Sequence, residues 1–324
     1  MNMPIVTLFK IVKRFVETHV RAFIIFFILI ILFEIFYIAI QIDITLRNSI
    51  YNSYLPQKLS EGTLSDYPVV INSYEPFLTA QSAVLLDNAS KRVLFSKNPE
   101  LRFSMASTTK VMTALVALEE FAYNDILTVG TPFREGNVIG FQEGEQLYFD
   151  DLLYALLLPS GNDAAYVIAE NYPGGFDAFV TRMNQKAKEL HLLDTHFADP
   201  AGLNDDLNYI TSLDLARFAS EALKNQTLAR VVGTKRKVFT DVSGVYTYDV
   251  YNLNKLLGTQ GVIGLKTGTT EGAGEVLVSA VRGNDREYII VVMKSEDRFL
   301  DTQNILGFID GNIEFLSPED LINP

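Results

Sequence analysis

Apolar positions change rhythm along the chain. From Ala22 to Ile40 they run almost unbroken for 19 residues, with Glu34 the one acidic member. Further on, Ser82–Asp87 and Lys91–Ser96 flank Asn88-Ala-Ser90, which predicts a hairpin. In Ser107–Phe121, Val111, Met112, Leu115, Val116 and Leu118 recur at helical spacing. Asp150–Leu158 and Asp163–Asn171 read as two helices broken by Pro159-Ser-Gly161, and Phe176–Leu190 and Ser212–Leu223 read as two more. Val276–Val281 and Tyr288–Met293 are β-branched runs around Gly283-Asn284-Asp285, a second hairpin, and Arg298–Ile309 predicts a closing helix. Hairpins at both ends with helices between them predict one α/β domain built on an antiparallel sheet.

The stretch 22–40 would span roughly 28 Å as a helix, close to the ~30 Å hydrocarbon core of a bilayer. Lys10, Lys13, Arg14 and Arg21 precede it, and Asp43 and Arg47 are the first charges after it. That bias keeps residues 1–21 cytoplasmic and sends the rest outside, as a single-pass protein. A cleaved signal peptide fits less well, because the run is long and Ala39-Ile40-Gln41 is a poor cleavage site. A buried core helix fits less well with so long a run apolar on every face. Residues 41–79, polar and punctuated by Pro56, Pro68 and Pro76, read as a stalk. The folded domain is then expected over 80–312, with a tail over 313–324.

Composition narrows the chemistry. Net charge is −12; residues 1–21 sum to +3 and Glu34 adds −1, so 41–324 carries −14. A nucleic-acid partner is not expected from so acidic a domain. With no cysteine, disulfides, iron–sulfur sites and thiol nucleophiles are excluded, and three histidines (His19, His191, His196) leave no basis for a His-rich metal site. Neither a metal nor an organic cofactor is expected.

Three short motifs remain. Ser107-Thr-Thr-Lys110 places a hydroxyl and an amine at i and i+3 of a predicted helix, within side-chain reach. A serine needs a base, and a desolvated lysine can supply one. Ser160-Gly161-Asn162 lies in the helix break, where a loop can aim a hydroxyl and an amide into a cleft. Lys266-Thr267-Gly268-Thr269 suits an edge strand that receives an anionic, extended ligand. Each pattern is weak alone; Ser96-Lys97-Asn98 also fits the second, but precedes Ser107. A Ser-His-Asp triad is not readily assembled and no serine sits in a G-x-S-x-G elbow, so a lysine base accounts for a serine enzyme without a histidine partner.

In this order the motifs form the set of penicillin-binding proteins and class A β-lactamases. Ala106–Glu119, Asp151–Ala165 and Gly264–Gly268 resemble the matching segments of the D-alanyl-D-alanine carboxypeptidases, and Phe197-Ala-Asp-Pro-Ala-Gly-Leu203 resembles a family connector. The similarity runs from about Ala80 to about Gly311. It implies a DD-peptidase/β-lactamase-like fold: an antiparallel sheet flanked by helices, plus a helical subdomain. It implies Ser107 as nucleophile, Lys110 as general base, Ser160 as proton relay, and Asn162 as holder of the substrate amide and of Lys110. Lys266 would supply positive potential and orient Ser160, while Thr267, Gly268 and Thr269 would meet the substrate carboxylate. Amides of Ser107 and Thr269 would form the oxyanion hole, and Arg298 would stand near the carboxylate pocket. The implied partners are peptidoglycan stem peptides ending in D-Ala-D-Ala and β-lactams as covalent inhibitors, in a bacterial envelope. Alternatives are a D,D-endopeptidase on cross-links, a β-lactamase and a non-catalytic penicillin sensor; the flanks speak against the β-lactamase, and the complete side-chain set against the sensor.

Ile263 stands where an acidic residue is common in the family, and Ala201 where a polar one is frequent. Many relatives continue into a small β-domain and an amphipathic anchor. Too few residues follow Ser317-Pro318 for either, so residues 22–40 are expected to take the anchor's place.

Overall fold

A computed structural model describes residues 34, 37, 41, 67–72, 74–283 and 286–317. The chain divides into Met1–Leu64 and Ser65–Pro324. In the first unit Glu34, Tyr37 and Gln41 are helical and exposed. The expected cytoplasmic segment, and the anchor apart from Glu34 and Tyr37, lie outside the described residues. Among the described residues no helix is long and apolar enough to cross a membrane.

In chain order, the second unit begins with β1 (Tyr67–Val70), β2 (Ser82–Asp87), β3 (Val93–Lys97) and β4 (Arg102–Ser104). A 3₁₀ turn, Ala106–Thr108, leads into α1 (Thr109–Glu120). Then come β5 (Ile126–Thr128), β6 (Gln146–Tyr148), α2 (Phe149–Leu157), α3 (Asn162–Asn171), α4 (Gly175–Glu189), β7 (Tyr209–Thr211), α5 (Ser212–Ala222) and α6 (Gln226–Val232). The last elements are β8 (Arg236–Thr240), β9 (Thr247–Tyr251), β10 (Val262–Thr270), β11 (Gly274–Gly283), β12 (Arg286–Ser295), α7 (Arg298–Ile309) and β13 (Ile313–Leu316).

A five-stranded antiparallel sheet, ordered β10-β11-β12-β2-β3, organises the unit. Both of its faces are covered, which is why its inner strands read as apolar runs instead of alternating. Val84, Leu86, Val276, Val278, Ile289 and Val291 belong to the core shared with the helices. Leu85, Leu277, Ile290 and Val292 point the other way, onto Ile305, Leu306 and Phe308 of α7. The period-2 geometry of a strand sorts neighbouring residues onto opposite faces. Side-chain caps fix two helix starts: Thr211 accepts from the amide of Asp214, and Asp297 from those of Phe299 and Leu300.

The expected domain bounds need correction at both ends. Residues 67–70, read as stalk, form β1 and pair antiparallel with β13, read as tail. Residue 79, also read as stalk, is integral: the Asp301 carboxylate accepts from its amide at 2.9 Å, as it does from that of Ala80 at 2.7 Å. A short ribbon joining two distant chain ends has no local sequence signal. The pair β4–β7 likewise joins segments about 100 residues apart, while β5–β6 and β8–β9 are local pairs of three and five residues, too short to stand out as alternating runs.

Candidate active site

Ser107 sits in the 3₁₀ turn and Lys110 in the first turn of α1, so the helix itself fixes their spacing. Lys110 is fully buried. Its Nζ donates to Ser107 Oγ at 2.8 Å and to the Ala201 carbonyl at 2.7 Å. Burial pulls the amine down to about 7, against the upward pull of the Asp199 and Asp163 carboxylates. A free amine is thus accessible near neutral pH, in hydrogen-bond contact with the Ser107 hydroxyl, an arrangement able to activate it.

The break between α2 and α3 brings up the second motif. Leu157 ends α2, Ser160 takes a left-handed φ of 68°, and Asn162 opens α3. A non-glycine residue held in that conformation is a strained position of the kind that clusters at functional sites. Asn162 donates Nδ2 to the Glu135 carbonyl at 2.9 Å, and its backbone amide donates to the Asn137 carbonyl at 2.7 Å. Ser160 Oγ and Asn162 Oδ1 are buried without a hydrogen-bond partner among the described residues. The expectation that Asn162 holds Lys110 is therefore not what the structure shows; the Ala201 carbonyl takes that proton instead.

The third motif lies on β10, the edge strand of the sheet. A Cβ added at Gly268 would stand 3.1 Å from the Ser107 amide nitrogen, so the glycine lets strand and nucleophile turn approach. Lys266 is buried and donates to the Thr267 carbonyl at 2.9 Å. Burial, and then the nearby Lys110 and Arg298 cations, push its amine well below the ordinary lysine range. Arg298, at the start of α7, donates Nη1 to the Gly268 carbonyl at 2.8 Å and to Thr269 Oγ1. The structure thus gathers the Ser107–Lys110 pair, the Lys266–Thr269 strand and Arg298. A family model described as D-alanyl-D-alanine carboxypeptidase matches residues 70–297.

The chain belongs to this family.

The D-alanyl-D-alanine carboxypeptidase of Streptomyces sp. (strain K15) is 34% identical over 260 residues, covering 73% of this chain and 88% of that one. The D-alanyl-D-alanine endopeptidase of Escherichia coli (strain K12) is 30% identical over 231 residues, or 69% and 74% of the two chains. The crystal structure of the Streptomyces K15 DD-transpeptidase superposes with a TM-score of 0.68 at 30% identity, covering 72% of this chain and 98% of that one.

Within this family fold, three residues went unrecognised as part of the site. Asp163 follows the Ser160-Gly-Asn motif directly and Asp199 stands in the connector, so each carried only its motif neighbourhood as a signal. Asp163 accepts from the amides of Ile139 and Gly140 at 2.9 and 2.8 Å, clamping the strap whose carbonyls hold Asn162. Asp199 accepts from the amides of Ala201, Gly202 and Asn204 at 2.8, 2.6 and 3.0 Å, and so shapes the loop that offers Lys110 its carbonyl. Thr113 Oγ1 ties that loop to α1 through the Pro200 carbonyl, 2.6 Å away. Gly202 has φ 82°, and a Cβ there would lie 1.9 Å from the Ala106 carbonyl oxygen. Gly202→Ala therefore combines left-handed strain with a backbone clash. We expect it to lower the denaturant midpoint by the equivalent of more than ~2 kcal/mol. An unchanged midpoint would show that the loop can retreat.

Proposed function

We propose that this chain is a serine-type D-Ala-D-Ala carboxypeptidase that trims peptidoglycan stem peptides. The observation that carries the reading is the 2.8 Å contact between Ser107 Oγ and a fully buried Lys110 whose amine titrates near neutrality. The Ser107 proton passes to Lys110 Nζ as Oγ attacks the carbonyl of the penultimate D-alanine. The C–N bond breaks, the departing D-alanine nitrogen takes up a proton through Ser160, and water then hydrolyses the ester. Lys266, Thr267, Gly268, Thr269 and Arg298 meet the substrate's terminal carboxylate, and the amides of Ser107 and Thr269 receive the oxyanion. A β-lactam is attacked in the same way, but its leaving nitrogen stays tethered, so the acyl-enzyme persists and the drug inhibits.

Incubating the purified chain with a peptide ending in D-Ala-D-Ala should release D-alanine. Intact mass should show one β-lactam adduct, mapped by peptide to Ser107. No release, or an adduct elsewhere, overturns the reading. The endopeptidase relative favours a second reading, cleavage of cross-links by the same residues; a cross-linked muropeptide separates the two.

For location, we propose a bacterial cell-membrane protein anchored through residues 22–40, with its catalytic unit outside. The support is the 19-residue apolar run and the positive residues before it.

A further inference from the structure

Lys110 Nζ makes its hydrogen bonds to two neutral acceptors, the Ser107 hydroxyl and the Ala201 carbonyl. An ammonium formed there during catalysis needs negative charge near it, since a buried unpaired cation is costly. The groups that face it can be named element by element. The connector brings Asp199, the start of α3 brings Asp163, and β10 brings Lys266 with Arg298 behind it. Burial, and then the nearby Asp199, Glu135 and Glu170 carboxylates, push Tyr166 up to about 12, so it stays a neutral phenol.

Both carboxylates are buried. Among the described residues, Asp163 accepts from the amides of Ile139, Gly140, Phe141 and Ala164. Asp199 accepts from the amides of residues 201–204 and from the Asn208 side chain. Backbone amides stabilise each carboxylate without cancelling its charge, as a cation would. The two anions are also locked by those bonds, so their distance from Lys110 does not relax as the lysine gains a proton.

We propose that Asp163 and Asp199 are positioning residues for the reaction: two amide-wrapped carboxylates that touch neither nucleophile nor base, yet stabilise the lysinium of the acylation step. Asp199 accepts from the Ala201 amide at 2.8 Å while the Ala201 carbonyl accepts from Lys110 Nζ at 2.7 Å, and Asp163 accepts from the amides of Ile139 and Gly140 in the strap whose Glu135 carbonyl accepts from Asn162. This rests on the reading of Lys110 as the base.

The test is the pH dependence of acylation by a fluorescent penicillin, measured on the purified full chain. Acylation rises as Lys110 loses its proton. Removing a neighbouring negative charge makes that proton easier to lose, so the acidic limb should move to lower pH. Asp199→Asn and Asp163→Asn should each shift it by roughly 0.5–1 pH unit, a modest part of what a close charge can do. Asp199→Glu and Asp163→Glu, which keep the charge, should return the limb toward its original position. A limb that stays in place in both amide variants, with rates merely lowered, overturns the proposal. So does loss of folded protein in all four variants, because the role would then be structural alone. A wild-type chain that takes no label defeats the reading of the site and this proposal with it; a labelled chain with an unmoved limb defeats only the proposal.

Discussion

Lys110→Met should reduce acylation and D-alanine release by at least ~10⁴-fold while raising thermal stability near pH 7. The kinetic loss follows from removing the amine bonded to Ser107 Oγ; deleting the base of a serine hydrolase has a cost of this order or larger. The stability gain follows from linkage. The Lys110 amine is pulled to about 7 from the ordinary 10.5 by burial. Between those pH values the unfolded chain binds the extra proton, so stability rises with pH across that window, and the lysine's penalty is fully present below it. At 1.4 kcal/mol per pH unit the penalty is of order 3–5 kcal/mol near neutrality. Methionine fills the same buried space and carries no charge. Calorimetry should therefore show the variant melting higher at pH 7, with the difference shrinking toward pH 10. A variant that melts lower at pH 7 would mean that the buried amine is a stabilising hub rather than a catalytic liability.

Ser107→Ala should leave no covalent adduct with penicillin and should lower turnover by about 10⁴–10⁶-fold, the range seen when a nucleophile is removed. Binding should survive. The Lys266–Thr269 strand and Arg298 are held by bonds that do not involve Ser107 Oγ: Lys266 to the Thr267 carbonyl and Arg298 to the Gly268 carbonyl, at 2.9 and 2.8 Å. Non-covalent association of a D-Ala-D-Ala peptide, read by calorimetry, should then change by less than about tenfold. Retained turnover would move the nucleophile elsewhere. Loss of binding together with turnover would mean that the hydroxyl also shapes the carboxylate end of the cleft.

Most of the site was legible because its chemistry is local in sequence. Ser107 and Lys110 share one helical turn, so their contact follows from helix geometry once the helix is granted. Ser160 and Asn162 sit in a break marked by proline and glycine, and the lysine–threonine–glycine run, suited to an edge strand, lies on the edge strand β10. The closing helix begins at Arg298, where Asp297 caps it. Because that helix starts beside the end of β10, Arg298 reaches Thr269 and Gly268.

What escaped were relations between distant segments. Nothing near Asp199 announces that its loop will hand Lys110 a carbonyl from 91 residues away. Nothing near Asn162 tells that the strap at 135–137 will hold it, or that Lys110 will turn to Ala201 instead. The four residues Tyr67–Val70 are too few to be told from a linker until Ile313–Leu316 lies beside them. By itself the sequence determined that Ser107 and Lys110 lie one helical turn apart, and the elements that carry them, since i,i+3 spacing and strand alternation are properties of the local backbone. Only the tertiary structure decided which carbonyls and carboxylates surround the lysine. Proton affinity in a buried site is set by charges and dipoles within a few ångströms, and folding brings those together without regard to their separation along the chain.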